Sequence, residues 1–395
     1  MKNTSFYRLP EGVQDILPEE CYNLNRLKAK LEEKFFRAGC VPVQSSALEY
    51  YDTYAEIRNK VPQNHMFKLT DGDGSLLVLR PDVTLAVARI AATKLQNTDT
   101  KLYYFSNVWD YRKTGGLSIR EIDQAGVEFL GVSNAFSDAQ NIAFAIECLS
   151  ESGISDFIID IGHVGFFKGL LEDCGLDDET AEKVRLLINA KDAVNTQEVL
   201  KRSGAKEKAA RALSVLPTLF GGIDVLSRAE KLTENKTAIA ALTHLKEVYS
   251  LLKSFGLEKY VSFDLGTVKD LAYYSGIVFT GLTKTLGSPI LSGGRYDRLS
   301  EDFGKEIPAV GFAMGLKRIL IALERQSALK KIPAADIVLY AEEGAEDVAY
   351  AEYKKLTSQG KRVNLYCGNG EMAKEKAMDC GAKLLKATRE GVTEA

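Results

Sequence analysis

Apolar and polar positions alternate with period two along residues 122–130, the pattern of a strand with one buried face. One face carries the apolar residues Ala125, Val127 and Phe129. The other face carries Gln124, Gly126 and Glu128, two polar side chains on either side of a glycine. Residues 102–108 are rich in aromatic and β-branched types, and Thr114-Gly115-Gly116 signals a turn between the two segments. The pattern predicts a long β-hairpin. Its polar face suits either a solvated surface or the floor of a polar pocket.

A helical spacing marks the N-terminal part of the chain, where four apolar residues recur every three or four positions: Leu24, Leu27, Leu31 and Phe35. This spacing predicts an amphipathic helix that begins near Pro18 and ends at Gly39. We expect one strand to follow over residues 41–50. Between this strand and the hairpin, the pattern predicts strands at 66–69 and 75–80 and a helix at 85–95. After the hairpin it predicts a helix that Ser137 caps and that runs to about Glu151, and then a strand at 157–161.

The second half of the chain separates into a helical part, a return to strands, and an alternating end. Residues 164–255 are almost entirely helical in pattern, and their basic and acidic residues are interleaved, which favours a solvated surface over an RNA groove. Strand character resumes at 261–266. Residues 336–386 follow the order βαβαβ, which predicts parallel strands because helices connect them.

Composition excludes several classes of function. The 395 residues suffice for two or three domains, and a net charge of −3 argues against a nucleic-acid binder, which needs a basic surplus. No apolar run is long enough to span a membrane, and the N-terminus lacks the apolar core of a signal peptide. The six cysteines and three histidines are scattered, so we expect no metal site, no disulfides and a cytoplasmic location.

Several ordered blocks carry a family resemblance, among them residues 8–20 (RLPEGVQDILPEE), residues 79–84 (LRPDVT), the hairpin, Tyr273-Tyr274, residues 293–297 (GGRYD) and residues 309–318. Through them, roughly residues 5–325 resemble the class II histidyl-tRNA synthetases, and more closely their non-synthetase relatives, the regulatory subunits of ATP phosphoribosyltransferase. The resemblance implies an α+β fold, with a class II synthetase-like core whose antiparallel sheet is flanked by helices. It implies this core at 1–164 and 256–328, a helical insertion at 165–255, and a small, truncated anticodon-binding-like α/β domain at 329–395.

The chain departs from the synthetase pattern where ATP would bind. The resemblance places a phosphate-binding arginine at Asp110 and an arginine that assists carboxylate activation at Lys269. Lysine cannot reproduce the planar bidentate fork of arginine. Of three such arginines only Arg318 remains, although phosphate charge needs several cations or a metal. These losses imply a protein that does not adenylate an amino acid, is not an enzyme and needs no cofactor.

The residues that would hold histidine are largely retained. By resemblance the candidate histidine-binding residues are Asp82, Thr84, Gln124, Glu128, Tyr273, Tyr274 and Tyr296. Carboxylates suit an ammonium and a ring N–H, while tyrosines supply hydroxyls and flat faces. An Asp-x-Thr sequence at a helix start is also an ordinary cap, so Asp82 has two interpretations at this point.

The resemblance therefore implies a non-catalytic regulatory subunit that partners a short-form catalytic ATP phosphoribosyltransferase in the first step of histidine biosynthesis, with histidine as effector. It also implies a homodimer or higher oligomer formed through the 24–35 helix and the strand after it. That helix could equally pack only on the core of its own chain. Two alternatives stay open: a histidyl-tRNA synthetase with an atypical active site, and a tRNA-binding pseudo-synthetase. The first requires ATP turnover, and the second requires a basic RNA surface.

Overall fold

The computed structural model describes residues 8–56, 63–111, 119–268, 273–367 and 369–395. The chain divides into two compact units, Met1–Leu329 and Lys330–Ala395. Among the described helices none combines the length and the apolar character that crossing a bilayer requires. The predicted turn at 114–116 and the position Lys269 lie outside the described residues.

A nine-stranded sheet forms the centre of the first unit. Its strands are β1 (Val41–Pro42), β5 (Thr100–Trp109), β6 (Glu121–Leu130), β7 (Phe157–His163), β8 (Phe220–Gly221), β9 (Val261–Asp264), β10 (Ile277–Thr283), β11 (Leu291–Arg295) and β12 (Ala309–Gly315), in the spatial order β1-β5-β6-β12-β11-β10-β7-β9-β8. The pairs β1/β5 and β7/β9 are parallel, and the other neighbours are antiparallel. A separate three-stranded sheet has the order β2-β4-β3, with β2 (Leu48–Tyr50), β3 (Lys68–Thr70) and β4 (Leu76–Leu79).

Eleven helices of the described chain belong to this unit: α1 (Pro18–Arg37), α2 (Tyr51–Glu56), α3 (Val83–Thr93), α4 (Ala135–Glu151), α5 (Val164–Cys174), α6 (Asp178–Asn189), α7 (Ala193–Arg202), α8 (Glu207–Val215), α9 (Asp224–Glu230), α10 (Lys236–Ser254) and α11 (Leu316–Arg325). Helices α5 to α10 fill the segment whose pattern is helical, although the short strand β8, which the pattern missed, interrupts them and adds an edge to the sheet.

The predicted hairpin is confirmed. Strands β5 and β6 pair antiparallel from Thr100↔Leu130 to Trp109↔Glu121. The apolar face of β6 faces the main core, where Ala125 and Val127 are fully buried. The polar face is not solvated, because Glu128 is only 1% exposed. The hairpin thus has two buried faces, one apolar and one polar.

The apolar stripe of α1 also packs in the main core of its own chain. Leu31 and Phe35 are completely buried there, and the Phe35 ring lies 5.3 Å from that of Tyr103. These side chains are therefore not exposed for a partner subunit. The outer side of α1 carries Phe36, which is 72% exposed.

Two local predictions were wrong. Residues 41–50 form two short strands in different sheets, because the Arg80 guanidinium donates to the Ser45 and Ser46 carbonyl oxygens (2.8 and 2.9 Å) and holds the intervening loop. Helix α4 is capped by Asn134, whose side-chain oxygen accepts from the Ser137 N–H at 2.8 Å. Ser137 is the third helical residue and returns a bond to Asn134 in a reciprocal capping box.

The second unit contains β13 (Ile337–Ala341), α12 (Glu346–Ser358), β14 (Val363–Cys367), α13 (Gly370–Cys380), β15 (Lys383–Thr388) and β16 (Gly391–Glu394). Its sheet has the order β14-β13-β15-β16. The predicted parallel pairing of the first three strands is confirmed, with β13 in the centre. The last strand, β16, was missed and pairs antiparallel with β15.

Candidate functional site

A cavity of about 290 Å³ lies over the polar face of the hairpin and the adjoining strands β11 and β12. The start of α3 and the tyrosine pair at 273–274 complete its walls. All seven candidate residues line this one cavity: Asp82, Thr84, Gln124, Glu128, Tyr273, Tyr274 and Tyr296. The fold thus brings together residues that lie up to 214 positions apart, from Asp82 to Tyr296.

Glu128 is the most enclosed charged group of the cavity. Thr84 Oγ1 donates to its Oε1 at 2.7 Å, and the Tyr296 hydroxyl donates to its Oε2 at 2.5 Å. The Tyr104 hydroxyl lies 3.4 Å from Oε1. Burial raises the pKa of Glu128 to about 8, against the hydroxyl hydrogen bonds, which favour the carboxylate. A cation bound beside this group would stabilise its charged form.

Space for the Glu128 carboxylate comes from a glycine on the neighbouring strand. Gly311 pairs with Glu128 across β12 and β6, and a Cβ atom at Gly311 would lie 1.7 Å from Glu128 Oε2. No side chain can occupy that point while the carboxylate stays in place. Gly311, in the 309–318 block, therefore leaves the space at the floor of the cavity that the Glu128 carboxylate occupies.

Asp82 caps a helix and also lines the cavity. Its Oδ1 accepts from the Leu85 N–H at 2.7 Å and caps α3. The Tyr273 hydroxyl donates to the same carboxylate at 3.2 and 3.3 Å. Protein atoms crowd around the carboxyl although the residue keeps part of its surface open, and this burial raises its pKa. The helix cap fixes the orientation in which the carboxylate faces the cavity.

Tyr104 is the site residue that the sequence analysis missed. It lies on β5 directly opposite Gly126, and its ring fills the space above that glycine, where a Cβ would come within 2.1 Å of the ring. Its hydroxyl reaches Glu128, and the side chain is only 2% exposed. The hairpin register, which pairs an aromatic residue with a glycine on the polar face, is the signal that could have found it.

Aromatic rings form the remaining wall. The Tyr273 ring lies 4.8 Å from that of Tyr274 and 6.3 Å from that of Tyr296. Burial and, next, the nearby carboxylates raise the pKa values of Tyr273 and Tyr296 well above the ordinary value. Both hydroxyls therefore stay protonated near neutral pH and act as hydrogen-bond donors.

The charge of the cavity is strongly one-sided. Its lining contains Asp82, Asp110 and Glu128, and no lysine, arginine or histidine belongs to it within the described part of the chain. Arg318 lies elsewhere and donates to the Pro289 carbonyl oxygen at 2.7 Å. Asp82, Asp110 and Glu128 favour a cationic group beside them over a phosphate group. Among the described residues, three or more His, Cys, Asp or Glu side chains nowhere meet in a group that could hold a metal ion.

A family sequence model and several named proteins are similar to this chain over most of its length. The sequence model of the family described as histidyl-tRNA synthetase matches residues 12–319. A protein of Acetivibrio thermocellus named ATP phosphoribosyltransferase regulatory subunit is 42% identical over 365 residues, which are 92% of this chain and 87% of that protein. A Clostridium acetobutylicum protein of the same name is 36% identical over 96% of this chain and 97% of its own length.

A solved structure from Bacillus halodurans has a TM-score of 0.85 and 29% identity to this chain, over 96% of this chain and 98% of that one. It is described as an ATP phosphoribosyltransferase regulatory subunit/histidyl-tRNA synthetase. The predicted fold class is thereby confirmed.

Proposed function

This chain belongs to the family of ATP phosphoribosyltransferase regulatory subunits, which has the histidyl-tRNA synthetase fold, and we propose that its acidic cavity binds histidine as a regulatory signal. Family membership makes the chain a non-catalytic subunit in histidine biosynthesis and implies a catalytic ATP phosphoribosyltransferase subunit as its partner. The histidine site, the short form of the catalytic partner and the regulatory effect are the parts that we propose.

The observation that carries the proposal is the match between the polar groups of the cavity and a small amino acid whose ammonium and imidazole N–H groups are hydrogen-bond donors. Asp82, Asp110 and Glu128 supply three carboxyl groups to the lining, and a cation bound beside Glu128 would favour its charged form. The cavity volume of about 290 Å³ lies at the lower end of the range for small-molecule sites, about 300–1,000 Å³, which suits one amino acid better than a nucleotide. Protonated tyrosine hydroxyls and buried carboxylates offer partners for every N–H of a histidine.

The arrangement suggests which groups would contact the ligand. Asp82 and Gln124 would receive the ammonium group, and Glu128, held by Thr84 and Tyr296, would accept from the imidazole N–H. The paired rings of Tyr273 and Tyr274 would cover the flat face of the ligand. Binding of a positively charged group would compensate the mutual repulsion of the cavity carboxylates.

The same charges argue against amino-acid activation. Asp110 lines the cavity where the resemblance places a phosphate-binding arginine, and Arg318 does not line it. A triphosphate would meet carboxylates where it needs cations. We therefore propose that the chain binds histidine without adenylating it, which leaves the bound amino acid as a signal.

We propose that the chain functions in the cytoplasm as part of a larger assembly. The chain would act in the cytoplasm, where its six free cysteines stay reduced. It would form at least a homodimer and associate with a short-form catalytic subunit. Occupancy of the cavity would change the activity of that complex, with a coupling of the usual size, about 1–3 kcal/mol.

Calorimetric titration of histidine into the purified chain, alone and with the catalytic subunit, tests the proposal. Glu128→Gln should weaken binding by about 5–150-fold, or about 1–3 kcal/mol, because the amide cannot become a carboxylate beside the bound ligand. Glu121→Gln is the matched control, because Glu121 lies on the same strand, bonds to Asn107 and does not line the cavity. Equal affinity in the parent and Glu128→Gln would place the histidine site elsewhere.

A second measurement separates the proposal from the synthetase alternative. Histidine-dependent ATP–pyrophosphate exchange should stay at background for the purified chain, because Asp82, Asp110 and Glu128 disfavour a phosphate group beside them. Robust exchange would show a working synthetase site. Histidine binding without exchange supports the sensor.

A further inference from the structure

A second cavity, of about 430 Å³, lies behind the tyrosine pair of the acidic cavity. Helices α5 and α10 and residues 273–275 surround it, and Tyr273 and Tyr274 line both cavities. The two cavities therefore share one aromatic wall. The histidine site proposed for the acidic cavity makes no use of this second space.

The charge of the second cavity is opposite to that of the first. Apart from the tyrosines, its ionisable lining residues are all of basic types: His163, Lys168, His244 and Arg298. No aspartate or glutamate of the described chain belongs to the lining. These basic groups come from four places: the end of β7, helix α5, helix α10 and the loop after β11. The tertiary fold, and not one basic segment, concentrates them.

Two cations of this lining, Lys168 and Arg298, have no counter-ion among the described residues. Lys168 and Arg298 are exposed, and neither forms an ion pair or a side-chain hydrogen bond with any residue that the structure describes. Thr237 and Ser275 add hydroxyl groups to the same lining. Two cations that line one cavity and have no ion-pair partner among the described residues form a suitable site for an oxyanion.

Three carboxylates bond to lining residues: Glu172 accepts from Thr237 Oγ1 at 3.2 Å, Asp297 accepts from Ser275 Oγ at 3.1 Å, and Asp138 bonds to His244. Arg295 pairs with Asp297 at 2.9 Å and also neutralises Asp138. Asp138 is completely buried, and its Oδ1 accepts from Arg295 Nε at 2.9 Å and Nη2 at 2.7 Å. Its Oδ2 lies 2.7 Å from His244 Nε2, so the carboxylate fixes the His244 ring at the cavity wall. Asp138 thus positions a cavity residue without presenting its own charge to the space.

His163 contributes a defined donor. Its Nδ1 accepts from the Gly165 N–H at 3.0 Å and caps α5. Burial and then the neighbouring His244 lower the pKa of His163 to about 4, so the ring is neutral near pH 7 and carries its proton on Nε2. That N–H has no hydrogen-bond partner in the described ranges. The N-terminal end of α5, which also lines the cavity through Val164 and Gly165, adds partial positive charge.

We propose that this cavity binds a phosphate group, as inorganic phosphate or as a small phosphate monoester. Lys168 and Arg298 would neutralise its charge, and His163 would donate a hydrogen bond. The site is separate from the proposed histidine site and stands whether or not the acidic cavity binds histidine. Because Tyr273 and Tyr274 line both cavities, an anion here would contact the wall of the acidic cavity directly.

The chain has only three histidines, which makes imidazole NMR resonances a specific probe. Titration with inorganic phosphate, and separately with ribose 5-phosphate, should shift the signals of His163 and His244 and leave His65 unchanged. Sodium chloride at equal ionic strength should not reproduce these shifts. Saturation by the free ion alone would identify inorganic phosphate, and tighter binding of the sugar phosphate would identify an ester; both results support the site.

The double variant Lys168→Gln/Arg298→Gln should weaken the saturable shift by at least about tenfold, because charge-assisted hydrogen bonds are lost. The matched control is Arg211→Gln/Lys253→Gln, which removes the same charge from exposed positions of α8 and α10 outside the lining. Equal weakening in both variants would overturn the proposal. So would the absence of saturable shifts up to about 10 mM, ten times a Kd of about 1 mM.

Discussion

The Glu128 carboxylate occupies the space that a side chain at Gly311 would need, since a Cβ there would lie 1.7 Å from Glu128 Oε2. Gly311 and Glu128 are register partners on adjacent antiparallel strands. One backbone position without a side chain therefore makes the buried carboxylate of the acidic cavity possible. The relationship explains why a glycine on β12 matters to a site whose polar groups lie on β6 and α3.

Gly311→Ala should displace Glu128 and disturb the cavity. We expect a loss of about 1–3 kcal/mol in the free energy of unfolding, the usual cost of overpacking, and a loss of histidine binding. Gly315→Ala is the control on the same strand, because a Cβ there meets nothing closer than Arg318 Cδ at 3.5 Å. Denaturant unfolding and calorimetry of both variants measure the difference. If Gly311→Ala binds histidine with the affinity of the parent, the observed position of the Glu128 carboxylate is not required for histidine binding.

The stability of the parent should fall with pH through the range in which Glu128 titrates. Its native pKa of about 8 exceeds the ordinary value of 4.5, so between these values the native state binds a proton that the unfolded state has released. The contribution to stability is present below the unfolded pKa and declines by up to about 1.4 kcal/mol per pH unit until the native pKa is passed. Glu128→Gln removes this slope.

Urea unfolding at several pH values between 5 and 8 in the parent and in Glu128→Gln checks the sign. The difference in unfolding free energy, parent minus variant, should decrease as pH rises. A constant difference for Glu128→Gln would mean that Glu128 ionises normally in the folded chain.

The buried pair of Arg295 and Asp138 should be a major determinant of stability. Arg295 also donates to the Val132 carbonyl oxygen, to Ser137 Oγ and to Asp297 Oδ1 (3.1, 2.7 and 2.9 Å). Arg295→Met should cost about 3–5 kcal/mol, because it leaves the Asp138 charge buried with only His244 as partner. Arg298→Met, three residues further on and exposed, should change stability by less than about 0.5 kcal/mol. Thermal and denaturant unfolding of both variants compare them; equal stabilities would contradict the assigned role.

Self-association is predicted through the outer side of α1 and the edge strand β1, since the apolar stripe of α1 is buried in its own chain. Light scattering at micromolar concentration should return at least twice the chain mass of 43.4 kDa. Phe36→Glu should shift the mass toward the monomer, because it places a charge on an exposed aromatic position of α1. Phe220→Glu, at the opposite edge of the same sheet, is the control. A mass of one chain for the parent protein at this concentration would contradict the predicted dimer.

Local patterns in the sequence determined the individual elements. Period-two alternation located the β6 strand and separated its two faces, and the 3.6-residue spacing located α1 and the residues that it buries. The βαβαβ order determined the parallel strands of the second unit. The resemblance also selected the seven candidate residues, which line the acidic cavity, and their role in binding histidine stays a prediction. The element predictions succeeded because each depends on neighbours in the chain.

Only the tertiary structure decided what lies between distant elements. It placed Tyr104 over Gly126, separated 41–50 into strands of two sheets, and assembled the second cavity from His163, Lys168, His244 and Arg298. It also buried the polar face of the hairpin, which the alternation left open between solvent and pocket. The physical reason is that periodicity fixes the direction of a side chain relative to its own element. The order of the strands and the packing of the helices fix which other side chains, and which charges, that direction meets.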